Sequence, residues 1–126
     1  MSTILIVEDN EKNMKLVRDI LRHAGHDTLE AATGGEGVRL AVDKRPDLVL
    51  MDIQLPDIDG IEALRRIREV EELDGVPVIA VSASVMPDDQ QKIVTSGFDA
   101  FVTKPINLKQ FLETVKRFLA DGRRPA

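Results

Sequence analysis

Short apolar runs alternate along the chain with stretches in which apolar residues recur every three or four positions. The runs at residues 4–7, 48–51 and 76–81 are almost wholly apolar, which is typical of strands buried on both faces of a parallel sheet. Residues 26–31 alternate apolar and polar positions, which favours an edge strand. Residues 98–103 predict a short fifth strand.

The stretches between these strands have the apolar spacing of helices. One apolar face runs from Asn13 to Gly25, where a glycine ends the helix, and similar faces occupy residues 61–67 and 108–119. The arginines of the third helix are predicted to lie on its solvent side. They are Arg65, Arg66 and Arg68.

Two further segments have weaker patterns. Residues 33–37, Thr-Gly-Gly-Glu-Gly, are interpreted as a plain turn leading into a helix that ends near Lys44, because no Lys-Ser/Thr pair of a phosphate-binding loop follows them. A fourth helix opens at Pro87, and its apolar stripe consists of little more than Ile93 and Val94. A helix anchored so thinly is expected to be mobile or reserved for a partner.

Five strands alternating with five helices predict an α/β fold. Short connections and right-handed crossovers favour a doubly wound five-stranded parallel sheet of order 2-1-3-4-5, a flavodoxin-like three-layer sandwich. One domain is expected over residues 1–120, with 121–126 as a short flexible tail. In this order the first and third strands are neighbours, and a crevice opens at their carboxyl ends.

Composition excludes several classes of protein. The net charge of −5 argues against binding to nucleic acid, and no apolar run approaches the ~20 residues that span a bilayer. The chain has no cysteine, so disulfides and thiolate metal sites are excluded. We therefore expect a cytoplasmic protein that binds neither nucleic acid nor a membrane.

Acidic side chains follow two of the central strands. Glu8 and Asp9 come after the first strand, and Asp52 ends the third. Carboxylates gathered in one crevice repel one another unless a cation lies among them, and Mg²⁺ favours such a partial set of oxygen ligands. A cation beside Asp52 makes this aspartate a plausible acceptor of a phosphoryl group. Ser82 and Lys104, at the ends of the next two strands, can donate to phosphoryl oxygens, and the Lys104-Pro105 bond is a candidate cis peptide.

These segments, in this order and spacing, resemble the signature of the response regulator receiver family over residues 3–119. The segments that carry the resemblance are Val7-Glu8-Asp9-Asn10, Met51-Asp52-Ile53-Gln54-Leu55-Pro56, Val81-Ser82-Ala83 and Lys104-Pro105-Ile106. The resemblance implies a single-domain response regulator of a two-component system or phosphorelay. Such a protein is a signalling protein rather than an enzyme, with self-catalysed phosphoryl transfer and slow autodephosphorylation.

The resemblance also implies roles for individual residues. Asp52 would accept the phosphoryl group from a histidine kinase or a histidine phosphotransfer protein. Mg²⁺, for which Mn²⁺ can substitute, would be held by Asp9, Asp52 and the backbone carbonyl of Gln54, and by Glu8 through water. The phosphoryl group would be bound by the side chains of Ser82 and Lys104 and by the backbone of Ala83.

Signal output is expected through contacts with a downstream protein at the face formed by the fourth helix, fifth strand and fifth helix. Ser82 and Phe101 would form the switch pair. Ser82 replaces the commoner threonine and Phe101 replaces a frequent tyrosine, so this pair lacks a methyl group and a phenol hydroxyl.

Two other functions compete with this one. Haloacid-dehalogenase-like phosphohydrolases also use a strand-end aspartate with Mg²⁺, but they need a second acid two residues later, where this chain has Gln54. A receiver fold that binds a partner constitutively, without phosphorylation, is the other alternative.

Overall fold

Five parallel strands form one sheet in the computed structural model, which describes residues 2–83 and 87–122. The strands are β1 (Thr3–Val7), β2 (Asp27–Ala31), β3 (Leu48–Asp52), β4 (Val78–Ser82) and β5 (Ala100–Thr103). Their order is β2-β1-β3-β4-β5. The predicted doubly wound α/β fold is therefore confirmed, including the alternating strand at the edge.

Five helices cover the two faces of this sheet. They are α1 (Glu11–His23), α2 (Gly34–Lys44), α3 (Gly60–Arg68), α4 (Pro87–Thr95) and α5 (Leu108–Asp121), with a 3₁₀ turn at Glu71–Leu73. Helix α5 extends one residue into the segment predicted as a tail, and residues 123–126 lie outside the described part of the chain.

The sheet separates two hydrophobic cores, because successive side chains of a strand point to opposite faces. Val49 and Met51 of β3 face one core together with Ala63, Leu64 and Ile67 of α3. The remaining apolar side chains of that strand face the other core, on the side of α1 and α5. They are Leu48 and Leu50. Burial on both faces explains why β3 is apolar until Asp52.

Helix α4 is thinly anchored, as its sequence predicts. Ile93 is buried and packs in the core, whereas the neighbouring Val94 is 56% exposed. An exposed branched apolar side chain on the same helix leaves area available for a partner.

The helix predicted after residues 33–37 ends at Lys44 as expected, but residues 34–37 form its first turn rather than a separate plain turn. Helix α2 already begins at Gly34, and the Thr33 side chain accepts a hydrogen bond from the backbone N–H of Glu36 as the N-cap. A Cβ atom on Gly37 would lie 2.6 Å from Cγ2 of Val7. Glycine at position 37 therefore permits the first turn of α2 to pack closely against β1.

Arg68 was predicted on the solvent side of α3, and this prediction is wrong. Its side chain is only 16% exposed and forms an ion pair with Asp99 over 3.1 Å. The same guanidinium donates to the carbonyls of Leu73 and Val76. As the last residue of α3, Arg68 reaches beneath the chain that enters β4, where backbone carbonyls and Asp99 compensate its charge.

Candidate functional site

The carboxyl ends of β1, β3, β4 and β5 meet at one edge of the sheet. The strand register pairs Val7 with Met51 and Asp52 with Val81, and the backbone N–H of Lys104 donates to the carbonyl of Ser82 over 2.8 Å. Residues that follow these strands therefore converge. An open cleft of about 670 Å³ lies there, lined by residues that include Glu8, Asp9, Asp52, Gln54, Ser82, Ala83 and Lys104.

Two buried carboxylates share one ammonium group in this cleft. The Nζ atom of Lys104 lies 2.9 Å from Oε1 of Glu8 and 3.1 Å from Oδ2 of Asp52. Glu8 and Asp52 are only 5% and 6% exposed. With one cation between two anions, this buried cluster has an uncompensated negative charge.

The pKa values show the same imbalance. Burial, followed by the neighbouring Asp52, raises the pKa of Glu8 to about 7, although the hydrogen bond with Lys104 opposes the shift. Burial by itself would lower the pKa of Lys104, but its hydrogen bonds with Glu8 and Asp52 outweigh burial and raise it. The ammonium therefore stays charged, while one carboxylate of the pair tends to hold a proton.

Asp9 adds a third acid at the exposed side of the cluster. One carboxylate oxygen from each of Glu8, Asp9 and Asp52 lies within 4.8 Å of the others. Oxygen ligands of this kind, with excess negative charge and an open side for water, suit a hard divalent cation such as Mg²⁺. The residues present therefore fit the metal that the sequence suggested.

The loop after β3 is folded back beneath the cleft. The backbone N–H of Gln54 donates to Oδ1 of Asp52 over 3.1 Å, and the N–H of Gly60 donates to the carbonyl of Ile53 over 2.8 Å. A Cβ atom on Gly60 would lie 2.5 Å from the carbonyl oxygen of Asp52. Glycine at position 60 thus permits the loop to return close to the end of β3, while the Gln54 N–H orients the Asp52 carboxylate.

The structure places the other predicted residues in two locations. Ser82 is buried at the end of β4, and Ala83 is exposed at the rim of the same cleft. The Lys104–Pro105 peptide bond is cis. Phe101 does not line this cleft. It is partly buried on β5 against the core on the α3 side and lines a separate groove beside α5.

Asn10 has a positioning role that the sequence analysis did not single out. Its side chain caps α1 by accepting hydrogen bonds from the N–H groups of Lys12 and Asn13. Its own backbone N–H donates to Oε2 of Glu8 over 3.2 Å. The available signal was an asparagine placed between a strand and a helix, a common N-cap pattern.

The fold and this acidic cleft define a protein of the response regulator class. The model of the response regulator receiver domain matches residues 4–116, and the chain therefore belongs to this family. The predicted resemblance is confirmed.

Within the response regulator family, this chain is similar to proteins named DivK. The chain is 44% identical over 120 residues to the polar-differentiation response regulator DivK of Brucella anthropi, covering 95% of this chain and 98% of that protein. DivK of Brucella melitensis has the same identity and coverage. The chain thus spans nearly the full length of these DivK proteins.

Solved structures agree with the fold. A receiver domain of a sensor histidine kinase from Pseudomonas aeruginosa, with a magnesium ion coordinated in its active site cleft, matches with a TM-score of 0.89 and 32% identity, covering 95% of this chain and 98% of that one. A CheY-like receiver domain protein from Methanospirillum hungatei has a TM-score of 0.87 and 30% identity, with coverages of 96% and 95%. Among the described residues, no helix is both long and apolar enough to span a membrane.

Proposed function

We propose that this protein is a response regulator that accepts a phosphoryl group on Asp52 from a phosphohistidine of a histidine kinase or a histidine phosphotransfer protein. The observation that carries the proposal is the buried Asp52 carboxylate in a cluster with one cation for two anions. Phosphoryl transfer depends mainly on positioning and on neutralising charge. This cleft offers the positioning, and with a divalent cation among its acids it would also offer the neutralisation.

Asp9, Asp52 and the backbone carbonyl of Gln54 would ligate Mg²⁺, or Mn²⁺ in its place, and Glu8 would hold it through water. The spacing of the three acids supports this assignment, as does the magnesium described in the active site cleft of the Pseudomonas receiver. When bound, the metal neutralises charge on the phosphoryl oxygens.

The remaining groups act on the phosphoryl group directly. A carboxylate oxygen of Asp52 attacks phosphorus, the O–P bond forms, and the P–N bond to the donor histidine breaks with its electron pair passing to the imidazole. Lys104, the Ser82 hydroxyl and the backbone N–H of Ala83 bind the phosphoryl oxygens. The acyl phosphate then hydrolyses slowly, so the protein acts as a timed switch rather than as a turnover enzyme.

The output is contact with a downstream protein at the face formed by α4, β5 and α5. Val94 and Leu108 on this face are 56% and 55% exposed, and Phe101 lines the groove between β5 and α5. Movement of Ser82 toward the phosphoryl group would free space for Phe101 to change rotamer. The state of Asp52 would thereby alter the shape of the face.

The two competing functions have less support. The residue two positions after Asp52 is Gln54, which cannot serve as the general acid of a haloacid-dehalogenase-like phosphohydrolase. Hydrolysis of a model phosphoester by the wild-type protein would support that enzyme. Partner binding that Asp52→Asn leaves unchanged would support a constitutive binding module.

The direct test is incubation with acetyl phosphate and Mg²⁺ followed by intact-protein mass spectrometry. Wild type should gain one phosphoryl group, and Asp52→Asn or removal of Mg²⁺ with EDTA should abolish the gain. Asp43→Asn is the control, because Asp43 lies on the exposed side of α2 and pairs only loosely with Arg39 at 3.7 Å. Equal labelling of Asp52→Asn and wild type would overturn the proposal.

A further inference from the structure

An aspartate in the loop after β3 is bound to the start of helix α2. Oδ1 of Asp57 accepts a hydrogen bond from the backbone N–H of Gly34 over 2.8 Å, and Oδ2 accepts one from Gly35 over 2.9 Å. The two residues of each pair are 23 and 22 positions apart in sequence. One carboxylate thus joins the loop that follows Asp52 to a separate helix, an arrangement named here the Asp57 clasp.

The chain is shaped to permit this contact. A Cβ atom on Gly34 would lie 2.5 Å from Cγ1 of Ile58, and one on Gly35 would lie 3.1 Å from Oδ2 of Asp57. Hydrogen bonds from the backbone N–H groups of Gly35, Ile58 and Gly34 lower the pKa of Asp57 to about 2. The carboxylate is therefore ionised at neutral pH and complements the positive end of the α2 dipole.

The clasp holds the middle of a loop whose two ends are held elsewhere. At its beginning, the N–H of Ile53 donates to the carbonyl of Val81 on β4. At its end, Asp59 caps α3 by accepting from the N–H of Glu62. Gln54, whose carbonyl faces the metal in the proposed function, lies between Ile53 and Asp57. Hydrogen bonds that orient the groups around a metal site affect its affinity even when they make no contact with the ion.

We propose that Asp57 is a positioning residue that fixes the loop after β3 in the conformation that binds the divalent cation. The inference rests on the proposed function for the identity of the site. It adds that α2, through its first two residues, is part of the structural support of that site.

The test compares two substitutions at the N-terminus of the same helix. Asp57→Ala removes the clasp, whereas Thr33→Ala removes the cap bond to the Glu36 N–H without touching the loop. Calorimetric titration of each folded variant with Mg²⁺ should show roughly tenfold weaker binding for Asp57→Ala and an unchanged affinity for Thr33→Ala. Asp57→Asn keeps one acceptor oxygen of the two, so its affinity should be intermediate.

A second measurement needs no metal. In protein freed of divalent cations, hydrogen exchange of the Gln54 and Gly60 amides should be faster in Asp57→Ala than in wild type, and unchanged in Thr33→Ala. These amides donate to Asp52 and Ile53 within the loop, not to Asp57, so faster exchange reports a loosened loop rather than the deleted bonds.

The outcomes separate the two proposals. Equal Mg²⁺ affinity and equal loop exchange in Asp57→Ala and wild type overturn the clasp, whatever the phosphorylation result. Equal weakening in Asp57→Ala and Thr33→Ala also overturns it, because the effect then belongs to the stability of α2. A wild type that binds Mg²⁺ but takes no phosphoryl group overturns the proposed function, and the Mg²⁺ affinity of Asp57→Ala relative to wild type and Thr33→Ala then still decides the clasp.

Discussion

Two groups of buried charge lie at opposite ends of the sheet, and they are built differently. At the amino end of β4 and β5, Arg68 pairs with Asp99, whose Oδ2 also accepts a hydrogen bond from the N–H of Val78 over 2.8 Å. At the carboxyl end, Lys104 faces two acids, Glu8 and Asp52. The first group is balanced by protein groups alone, and the second is not.

The difference separates a structural ion pair from a functional one. A buried charge is costly unless protein groups compensate it, and the Arg68 pair is compensated by an anion and two carbonyls. The carboxyl-end group has more acids than cations, and its excess negative charge is neutralised by a proton on one carboxylate or, in the proposed function, by a divalent cation. A cluster that is incomplete without a ligand is expected at a binding site rather than in a scaffold.

The largest effect is expected at the balanced pair. Asp99→Ala removes the carboxylate that pairs with the largely buried Arg68 guanidinium and should lower the free energy of unfolding by about 3 kcal/mol, measured in urea. Arg65→Ala, in the exposed network on the same helix, is the control. A loss no larger than that of Arg65→Ala would show that the Arg68 pair is not structural.

The unbalanced cluster predicts an unusual pH dependence in protein freed of divalent cations. The folded state keeps the Glu8 proton up to a pKa of about 7, whereas the unfolded chain releases it near 4.5. The folded state binds more protons between these values, so the contribution of Glu8 to stability is complete below pH 4.5 and is lost as the pH rises to 7.

Comparison with Glu8→Gln isolates this contribution. On the order of 2 kcal/mol of stability should be lost by wild type relative to Glu8→Gln as the pH rises through this range, measured by urea unfolding at fixed ionic strength. If the free energy of unfolding has the same pH dependence in both proteins, the pKa of Glu8 is not raised by burial beside Asp52.

A smaller effect of opposite sign is expected from Asp52→Asn. Removing one of two competing carboxylates leaves Lys104 paired with Glu8 alone, so without metal this variant should be more stable than wild type by about 1 kcal/mol. Thermal unfolding in EDTA measures the difference. If Asp52→Asn is less stable than wild type, then Lys104 already compensates both Glu8 and Asp52.

The smallest effect is expected at the surface. Glu62 pairs with Arg65 and Arg66 on α3, and the hydrogen bond from Arg65 is the first cause that lowers its pKa to about 2. These groups are solvated, and at about 0.5 M salt charges are screened over a few ångströms. This salt concentration should therefore remove most of the difference in the free energy of unfolding between wild type and Glu62→Gln. If the stability difference persists in salt, this surface network is shielded from solvent ions as the buried clusters are.

Local pattern explains what the sequence predicted correctly. Solid apolar runs indicated the buried strands, the alternating residues 26–31 indicated the edge, and strand order then brought Glu8, Asp9 and Asp52 to one rim. The strands followed from the period of each segment, whereas their order also drew on the known doubly wound topology.

Contacts between distant segments explain what the sequence did not predict. Arg68 has the spacing of a solvent-facing residue, and only the position of Asp99, 31 residues later, brings it inside. The glycines at 34–37 read as a turn, because their close neighbours, Val7 and Asp57, come from other elements. The switch role of Phe101 stays a prediction.

In the proposed function a divalent cation completes the carboxyl-end cluster, whereas the amino-end pair needs none. The change in the free energy of unfolding on adding Mg²⁺ distinguishes the two groups. Wild type and Arg68→Lys should both gain about 2.7 kcal/mol at a hundredfold excess over the Mg²⁺ dissociation constant, and Asp9→Asn and Asp52→Asn should gain far less. Equal gains in all four proteins, or no gain in wild type, would show that the carboxyl-end cluster does not bind a divalent cation.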